Sequence, residues 1–367
     1  MTTEQPAPPS ESEFKLSGSA VFPLVGGRST WSHEYLLPIF ATICAALALI
    51  LVFNPTDTGK DEITEAWQVY SILGLYIAFM VNYYIDRMCR RAKRLWVMAL
   101  VALATFVLLG SPVWHSWFDF FYNVIPGTAW QKSPDVAVQL AGYFFGTGLC
   151  EESFKALPLF ALALFGAGLA WLGRHSHGRL GRFAAAIRKH VCVCEPLDGI
   201  ALGVASGSGF FLAETLGQYV PGIMTAAKYA GSEAFAGLVV LLARGLPDLV
   251  EHSAWSGLFG YFIGLSVLRP RIAVLLLPLG WFSAAALHGA WDASSGVTQS
   301  GPITLCCWLV LALLSYGLLG GAIFKAREIS PGRAAASTKA QGMEGATVHS
   351  APALAPAGAW LDDSDSG

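Results

Sequence analysis

Charged side chains are scarce in this chain. Asp, Glu, Lys and Arg make up 13% of its 367 residues, about half the ~25% of an ordinary soluble domain. With 54% hydrophobic residues and a mean hydropathy of +0.52, the composition excludes general disorder and argues against a soluble enzyme. A net charge of −2 lacks the positive excess of a nucleic-acid binder, so no nucleic-acid partner is expected. Several catalytic signatures are missing as well. There is no HExxH zinc helix and no GxGD. Ser206-Gly207 lacks the first glycine of a GxSG turn because position 204 is Val. Cys44, Cys89, Cys150, Cys192, Cys194, Cys306 and Cys307 fall mostly in apolar stretches or basic loops, which gives no disulfide framework. No long-period repeat is present. Residues 1–33 are polar and have no basic segment feeding a short apolar core, so no cleaved leader is expected.

What the chain does have is long apolar runs. Stretches of about 18 residues or more read as membrane spans. They occur at Leu36–Phe53, Trp67–Ile85, Leu95–Val113, Val136–Leu172, Leu197–Leu216, Ala234–Leu268, Ile272–Ala293 and Ile303–Phe324. The expected fold is therefore an all-α polytopic membrane protein of about eight spans, embedded in a lipid bilayer. Val136–Leu172 and Ala234–Leu268 are long for single spans and are expected to break, with Pro158 and Pro247 as kink points. Lys and Arg concentrate in alternate loops: Arg87 to Arg94, Arg174 to Lys189, Arg269 with Arg271, and Lys325 with Arg327. By the positive-inside rule both termini are cytoplasmic. The expected organisation is a polar segment at 1–33, a membrane domain at 34–325 with its functional core at 136–293, and a disordered tail at 326–367 rich in Ala, Gly, Ser and Pro. His175, His177, His190, Cys192 and Cys194 share one cytoplasmic loop, but their spacing fits no standard zinc module. A basic, partly helical loop at the lipid headgroups is the plainer reading.

Ionisable residues mark spans four to seven. Glu151, Glu152, Lys155, Glu214, Arg244, Asp248, Glu251, His252, His288 and Asp292 all lie within them. A charge at the bilayer centre costs at least ~2.5–3.5 kcal/mol on insertion scales, so such groups must meet one another or line a wet cavity. Arg244 and Asp248 are spaced four apart, as are Asp248 and His252, and Arg244, Asp248 and Glu251 read as structural ion pairs. The others form tighter constellations. Lys155 follows Glu151 and Glu152 by four and three residues and reaches both on a helix. Two adjacent carboxylates cannot both ionise cheaply in a low dielectric, which suits a general base. Phe210 to Glu214 brings a third carboxylate, and His288 and Asp292 share a helical face. Glu214, His252 and His288 lie 17–18 residues from the cytoplasmic ends of their spans, counted from Pro196, Arg269 and Arg271. That places them ~25–27 Å deep, with Glu152 at ~33 Å, near the outer face of a ~30 Å core. Glycines at 199, 203 and 207, at 142 and 146, and at 260 and 264 would let these helices approach closely.

Taken in order, Glu151-Glu152-Ser153-Phe154-Lys155, Phe210 to Glu214 and His288 to Asp292 resemble the EExxK, FxxxE and HxxxD motifs of the PrsW family of intramembrane proteases. The segment from His252 to Gly257, followed by Gly260 to Gly264, is similar too, as is Glu195 to Gly199 leading into Phe210. The resemblance covers about Val136 to Asp292. Thr215 departs from the Asn that often follows the FxxxE glutamate. Lys155 and Glu214 favour this branch over the related CAAX-processing and bacteriocin-processing proteases.

The resemblance implies peptide-bond hydrolysis in a bacterial cytoplasmic (inner) membrane. Its substrate would be a single-span membrane protein cut on the outer side, as an anti-sigma factor is at its first cleavage. The catalytic residues it implies are Glu151, Glu152, Lys155, Glu214, His288 and Asp292, with Glu151 the first choice of base and Glu152 close behind it. Glu214, His252 and His288 would bind a metal such as Zn2+ or position the water directly. His288 and Asp292 could instead stabilise the oxyanion. The residues leave a metal-dependent and a glutamate-type mechanism both open. A proton-coupled transporter and a non-catalytic scaffold are the competing classes, since intramembrane carboxylates and His also build proton relays. A scissile stretch has to be extended or easily unwound, with a broken span four or the 217–233 loop as its gate.

Overall fold

The computed structural model describes residues 62–89, 95–125, 128–176, 178–227, 233–297 and 300–330. The side chains of 62–69, 128, 223–224, 226–227, 233–250 and 297 lie outside that description, and with them the expected Arg244–Asp248 pairing. The expected span Leu36–Phe53 and the His177 ring also lie outside it. Contacts divide the chain into two units, Met1–Arg327 and Glu328–Gly367. Among the described residues the regular structure is wholly helical.

The helices are α1 (Glu62–Cys89), α2 (Leu95–Leu109), α3 (Pro112–Asn123), α4 (Thr128–Gln131), α5 (Val136–Tyr143), α6 (Leu149–His175), α7 (Arg179–Val191), α8 (Pro196–Glu214), α9 (Val220–Ala227), α10 (Glu233–Leu268), α11 (Ala273–Val297) and α12 (Gly301–Ile329). Four helical stretches are long and apolar enough to cross a membrane: Val136–His175, Pro196–Gly222, Pro270–Gly296 and Gly301–Ile329. The pair α2 and α3 makes a fifth if its two bent parts form one span.

The expected third span, Leu95–Val113, does not end where its apolar run ends. The chain turns by 68° between α2 and α3 and stays helical to Asn123. Ser111 makes the elbow. It is extended, and its hydroxyl donates to Leu108 O at 2.6 Å. Pro112 then opens α3 at the first helical position, where its missing N–H costs nothing.

The expected breaks at Pro158 and Pro247 do not occur. α6 runs unbroken through Pro158, and α10 is one helix through position 247. Proline removes one ladder bond, and neighbouring groups in a membrane bundle can offset that loss. The irregularities fall elsewhere, as π-helical turns at Phe144–Gly148 and Thr215–Tyr219. Of the expected 217–233 loop, residues 217–227 are helical, since Thr215–Tyr219 leads directly into α9, while 228–232 lie outside the described residues.

α8 occupies the centre: 94% of the apolar window in Pro196–Gly222 is buried, against 11% in Gly301–Ile329. Its glycine stripe explains how α10 comes so near. A Cβ at Gly199, Gly203 or Gly207 would collide with the carbonyl oxygen of Gly260, Ser256 or His252 respectively. Gly148 meets the Ala285 carbonyl of α11 in the same way. α12 instead exposes Leu305, Leu309, Val310 and Leu313, as a lipid-facing helix does. α7 is amphipathic and basic: Ala184 is buried while Leu180, Phe183, Arg182 and Lys189 are exposed.

Candidate active site

Four helices deliver the ionisable groups to one place. α6 begins directly after its π turn and presents Glu151, Glu152 and Lys155 within its first two turns. α10, held tightly on α8 by glycine, presents His252 and Ser256, and α11 presents His288 and Asp292. Glu214 is the last residue of α8, where the second π turn begins. One π turn thus lies just before Glu151, with Leu149 and Cys150 between, and the other begins directly after Glu214. Such turns occur frequently at functional sites.

Lys155 and Glu152 form the inner pair, and both are buried. Lys155 Nζ donates to Glu152 Oε1 at 2.8 Å and stands 3.5 Å from Glu151 Oε2. It lies 2.7 Å from His252 Nδ1 and 4.2 Å above the centre of the Phe210 ring. Glu152 is held from three sides. Besides Lys155, it accepts from Ser256 Oγ through Oε2 and from His288 Nδ1 through Oε1, each at 3.0 Å. A buried ion pair is tolerable only when its remaining hydrogen-bonding capacity is satisfied, and here α10 and α11 add hydrogen-bond partners to the pair on α6.

Glu151 is placed differently. Its Oε2 lies 3.4 Å from His288 Nε2, yet it is buried and accepts no hydrogen bond among the described residues. His288 Nε2 is also 3.6 Å from Asp292 Oδ2, and His252 Nε2 is 3.4 Å from Glu214 Oε2. The more open side of the cluster carries Asp292, with 26% of its side chain exposed, and Glu214 with 14%.

The structure thus gathers Glu151, Glu152, Lys155, Glu214, His252, His288 and Asp292. The seam between Glu151, His252 and His288 has the spacing of a metal site, with ligating atoms within 4.8 Å of one another. That set contains Glu151 where the sequence suggested Glu214. The donors fit zinc, since carboxylate and imidazole are its ordinary ligands. Glu151 Oε2 has an unused acceptor, and the Glu152–His288 bond fixes that ring as metal-ligating imidazoles are commonly fixed. The His175, His190, Cys192 and Cys194 loop is not among the metal-capable clusters of the described residues.

Sequence reasoning passed over several residues. Ser256 sits one turn beyond His252 on the same face, a spacing that could have revealed it. The Trp255 ring stacks on His288 with centroids 4.5 Å apart and planes 20° apart. Ser206 Oγ donates to Lys155 O at 2.6 Å and pairs with Thr105 Oγ1 at 2.7 Å. Trp117 and Trp281 donate to the Cys150 and Leu149 carbonyls, each at 3.2 Å, and so brace the start of α6. No local pattern announces these contacts, because their partners lie far away in the chain.

Apolar spanning helices around a buried carboxylate–imidazole–lysine cluster define an integral membrane protein with the parts of a hydrolytic centre. Residues 91–318 match the PrsW family intramembrane metalloproteases. The chain belongs to that family, and with it to the membrane-embedded peptidases. No curated protein and no solved structure matches it.

Proposed function

We propose that this chain hydrolyses a peptide bond of a membrane-anchored polypeptide near the outer boundary of the bilayer. The observation that supports this most is the buried set Glu151, His252 and His288, with ligating atoms within 4.8 Å on three different helices. These residues would hold a divalent ion, with zinc the best fit to the donors. When bound, such an ion supplies Lewis-acid polarisation and an activated water. Glu152 accepts from His288 Nδ1 and keeps Nε2 turned to the site. Lys155 holds the neighbouring carboxylates together against their mutual repulsion. Glu214, partly open and 3.4 Å from His252, takes the proton of the attacking water and returns it to the leaving amine. Asp292, whose Oδ2 lies 3.6 Å from His288 Nε2, adds a further carboxylate at the open side of the site.

A second assignment has one observation in its favour. Glu214 also lies against His252, so Glu214, His252 and His288 could be the ligands and Glu151 the base. One pair of variants separates the two. In our reading, purified Glu151→Gln loses both metal and cleavage, while Glu214→Gln keeps metal and loses cleavage. The reverse metal pattern transfers the roles. Full activity of protein that carries no metal replaces both assignments with a glutamate-type mechanism.

The substrate side of the proposal rests on depth and topology. Eight spans with cytoplasmic termini, with the catalytic bundle in spans four to seven, put the cluster near the outer face, where an anti-sigma factor would be cut first. A helical segment hides its carbonyls in i to i−4 bonds, so the scissile stretch must be extended. A reporter fused after Lys325 should read as cytoplasmic and one inserted at Thr58 as external. Comparison of membrane-protein fragments with and without Glu151→Gln should then reveal ends outside the bilayer. Ends only in cytoplasmic segments refute the outer-face site.

A further inference from the structure

α7 has no part in the proposed reaction. It is tied between two spanning stretches, Val136–His175 and Pro196–Gly222. Three residues lead into it and four lead out, so neither end can stand more than roughly 10–14 Å from the end of a span. Its place is therefore a membrane surface. The turn into it is tight: Gly178 has φ +76°, and a Cβ at Gly181 would collide with the Ser176 carbonyl oxygen. At the other end Cys192 packs so closely on α6 that a Cβ at Gly166 would stand 2.8 Å from its own Cβ. The Cys194 N–H then donates to Asp198 Oδ2 at 2.9 Å. α7 is thus held against the end of α6 rather than hanging from it.

Residues 174–194 carry five Lys and Arg and no Asp or Glu. Within α7 the exposed groups are sorted by face. Arg179 and Arg182 are exposed and lie three apart on one side. Leu180 and Phe183 follow them directly in sequence, about 100° further round the helix, with 52% and 63% of their surface exposed. Trp171, near the end of α6, is exposed as well. Leucine and phenylalanine open to water are a liability on a basic helix. At the acyl boundary of a bilayer they are stabilising, with the basic side chains reaching the headgroups beside them. We propose that this face of α7 is a binding site for anionic phospholipid: Arg179 and Arg182 clasp one headgroup phosphate, and Leu180 and Phe183 insert beside its acyl chains. Guanidinium groups match a phosphate through paired N–H donors. A zwitterionic leaflet offers the same apolar boundary but no net negative charge to meet the two arginines.

Lipid binding at α7 does not depend on the protease reading, so it is measured without cleavage. The full chain is placed in nanodiscs of phosphatidylcholine, with and without phosphatidylglycerol, and hydrogen exchange of the 179–191 amides is followed. Exchange there should slow by about tenfold or more when phosphatidylglycerol is present, about fivefold for each arginine. Arg179→Gln combined with Arg182→Gln should abolish most of that slowing, and so should high salt. Phe183→Ser should speed exchange in both kinds of disc, because the apolar contact does not depend on headgroup charge. All three side chains are exposed, and unchanged exchange of the 149–175 amides checks that each variant is folded. Equal exchange in the two discs, or an undiminished response in the double-glutamine chain, overturns the proposal. Protection of α7 by an added acidic peptide but not by phosphatidylglycerol assigns the face to a protein partner and overturns it as well.

Discussion

α8 and α12 are both apolar and both long enough to cross a bilayer, yet they do opposite work. α8 is almost wholly buried, and its small residues admit α10 to backbone contact. α12 turns Leu305, Leu309, Val310 and Leu313 outward and brings no acidic or basic side chain to the cluster. Hydrophobicity alone qualifies both as spans. Side-chain size separates them: a helix that faces lipid can carry leucine anywhere, while a helix that faces other helices must leave room for their backbones.

The largest effect that would sharpen this contrast is steric. Gly203→Leu on α8 must displace the Ser256 carbonyl, and with it the helix that carries His252. Little folded protein should be recovered by size-exclusion chromatography in detergent. Leu313→Ala on α12, at a side chain 75% exposed, should change stability by less than ~0.5 kcal/mol. Similar losses for both would break the comparison.

Next comes the buried ion pair. Lys155→Met leaves two carboxylates together without their cation, which costs ~3–5 kcal/mol when one partner of such a pair is removed. The unfolding temperature should fall sharply, and cleavage should be lost. Ser256→Ala removes a hydrogen bond to a carboxylate, worth ~1.5–3 kcal/mol. It should lower activity by about tenfold or more while the protein still folds, as judged by its circular dichroism. Smallest is Trp117→Phe, which keeps an aromatic side chain and loses the indole N–H shared between Cys150 O and Ser153 Oγ at the start of α6, at ~0.5–1.5 kcal/mol. Its stability loss should exceed that of Leu313→Ala. Equal values would mean that the brace at α6 is of no consequence.

Much of the site could be read from spacing, because i to i+3 and i to i+4 separations decide which side chains share a helical face. Glu151, Glu152 and Lys155 are grouped that way, as are His288 and Asp292. Which face meets which cannot be read so. Ser256 reaches Glu152 across 104 positions of sequence, and nothing local to either residue signals the other. The helical class of the fold followed from the apolar runs, but two of their details misled. Proline at 158 looked like a break and proved to be accommodated inside α6. The elbow at Ser111 looked like the end of a span and proved to be a turn into further helix. In both places the outcome depends on whether a neighbour satisfies the displaced backbone group, a tertiary property. The choice between Glu151 and Glu214 as the third metal-capable donor is of the same kind, since it depends on how α6 and α8 are rotated toward His252.

The π turn at Phe144–Gly148 has a consequence for how α5 and α6 are phased. A π turn behaves as a single-residue insertion within an α-helix. At 3.6 residues per turn, one residue is ~100° of azimuth. Everything downstream, Glu151 through Lys155 included, is therefore rotated by about a quarter-turn from where a regular continuation of α5 would aim it. The widened turn works as a fixed offset between two rigid cylinders, one docked through Gly142 and the other directed at His288. Shortening this stretch by one residue would restore a uniform helix with better local hydrogen bonding. It would also swing the paired carboxylates away from the two imidazoles, so a locally sounder helix would carry a dismantled centre.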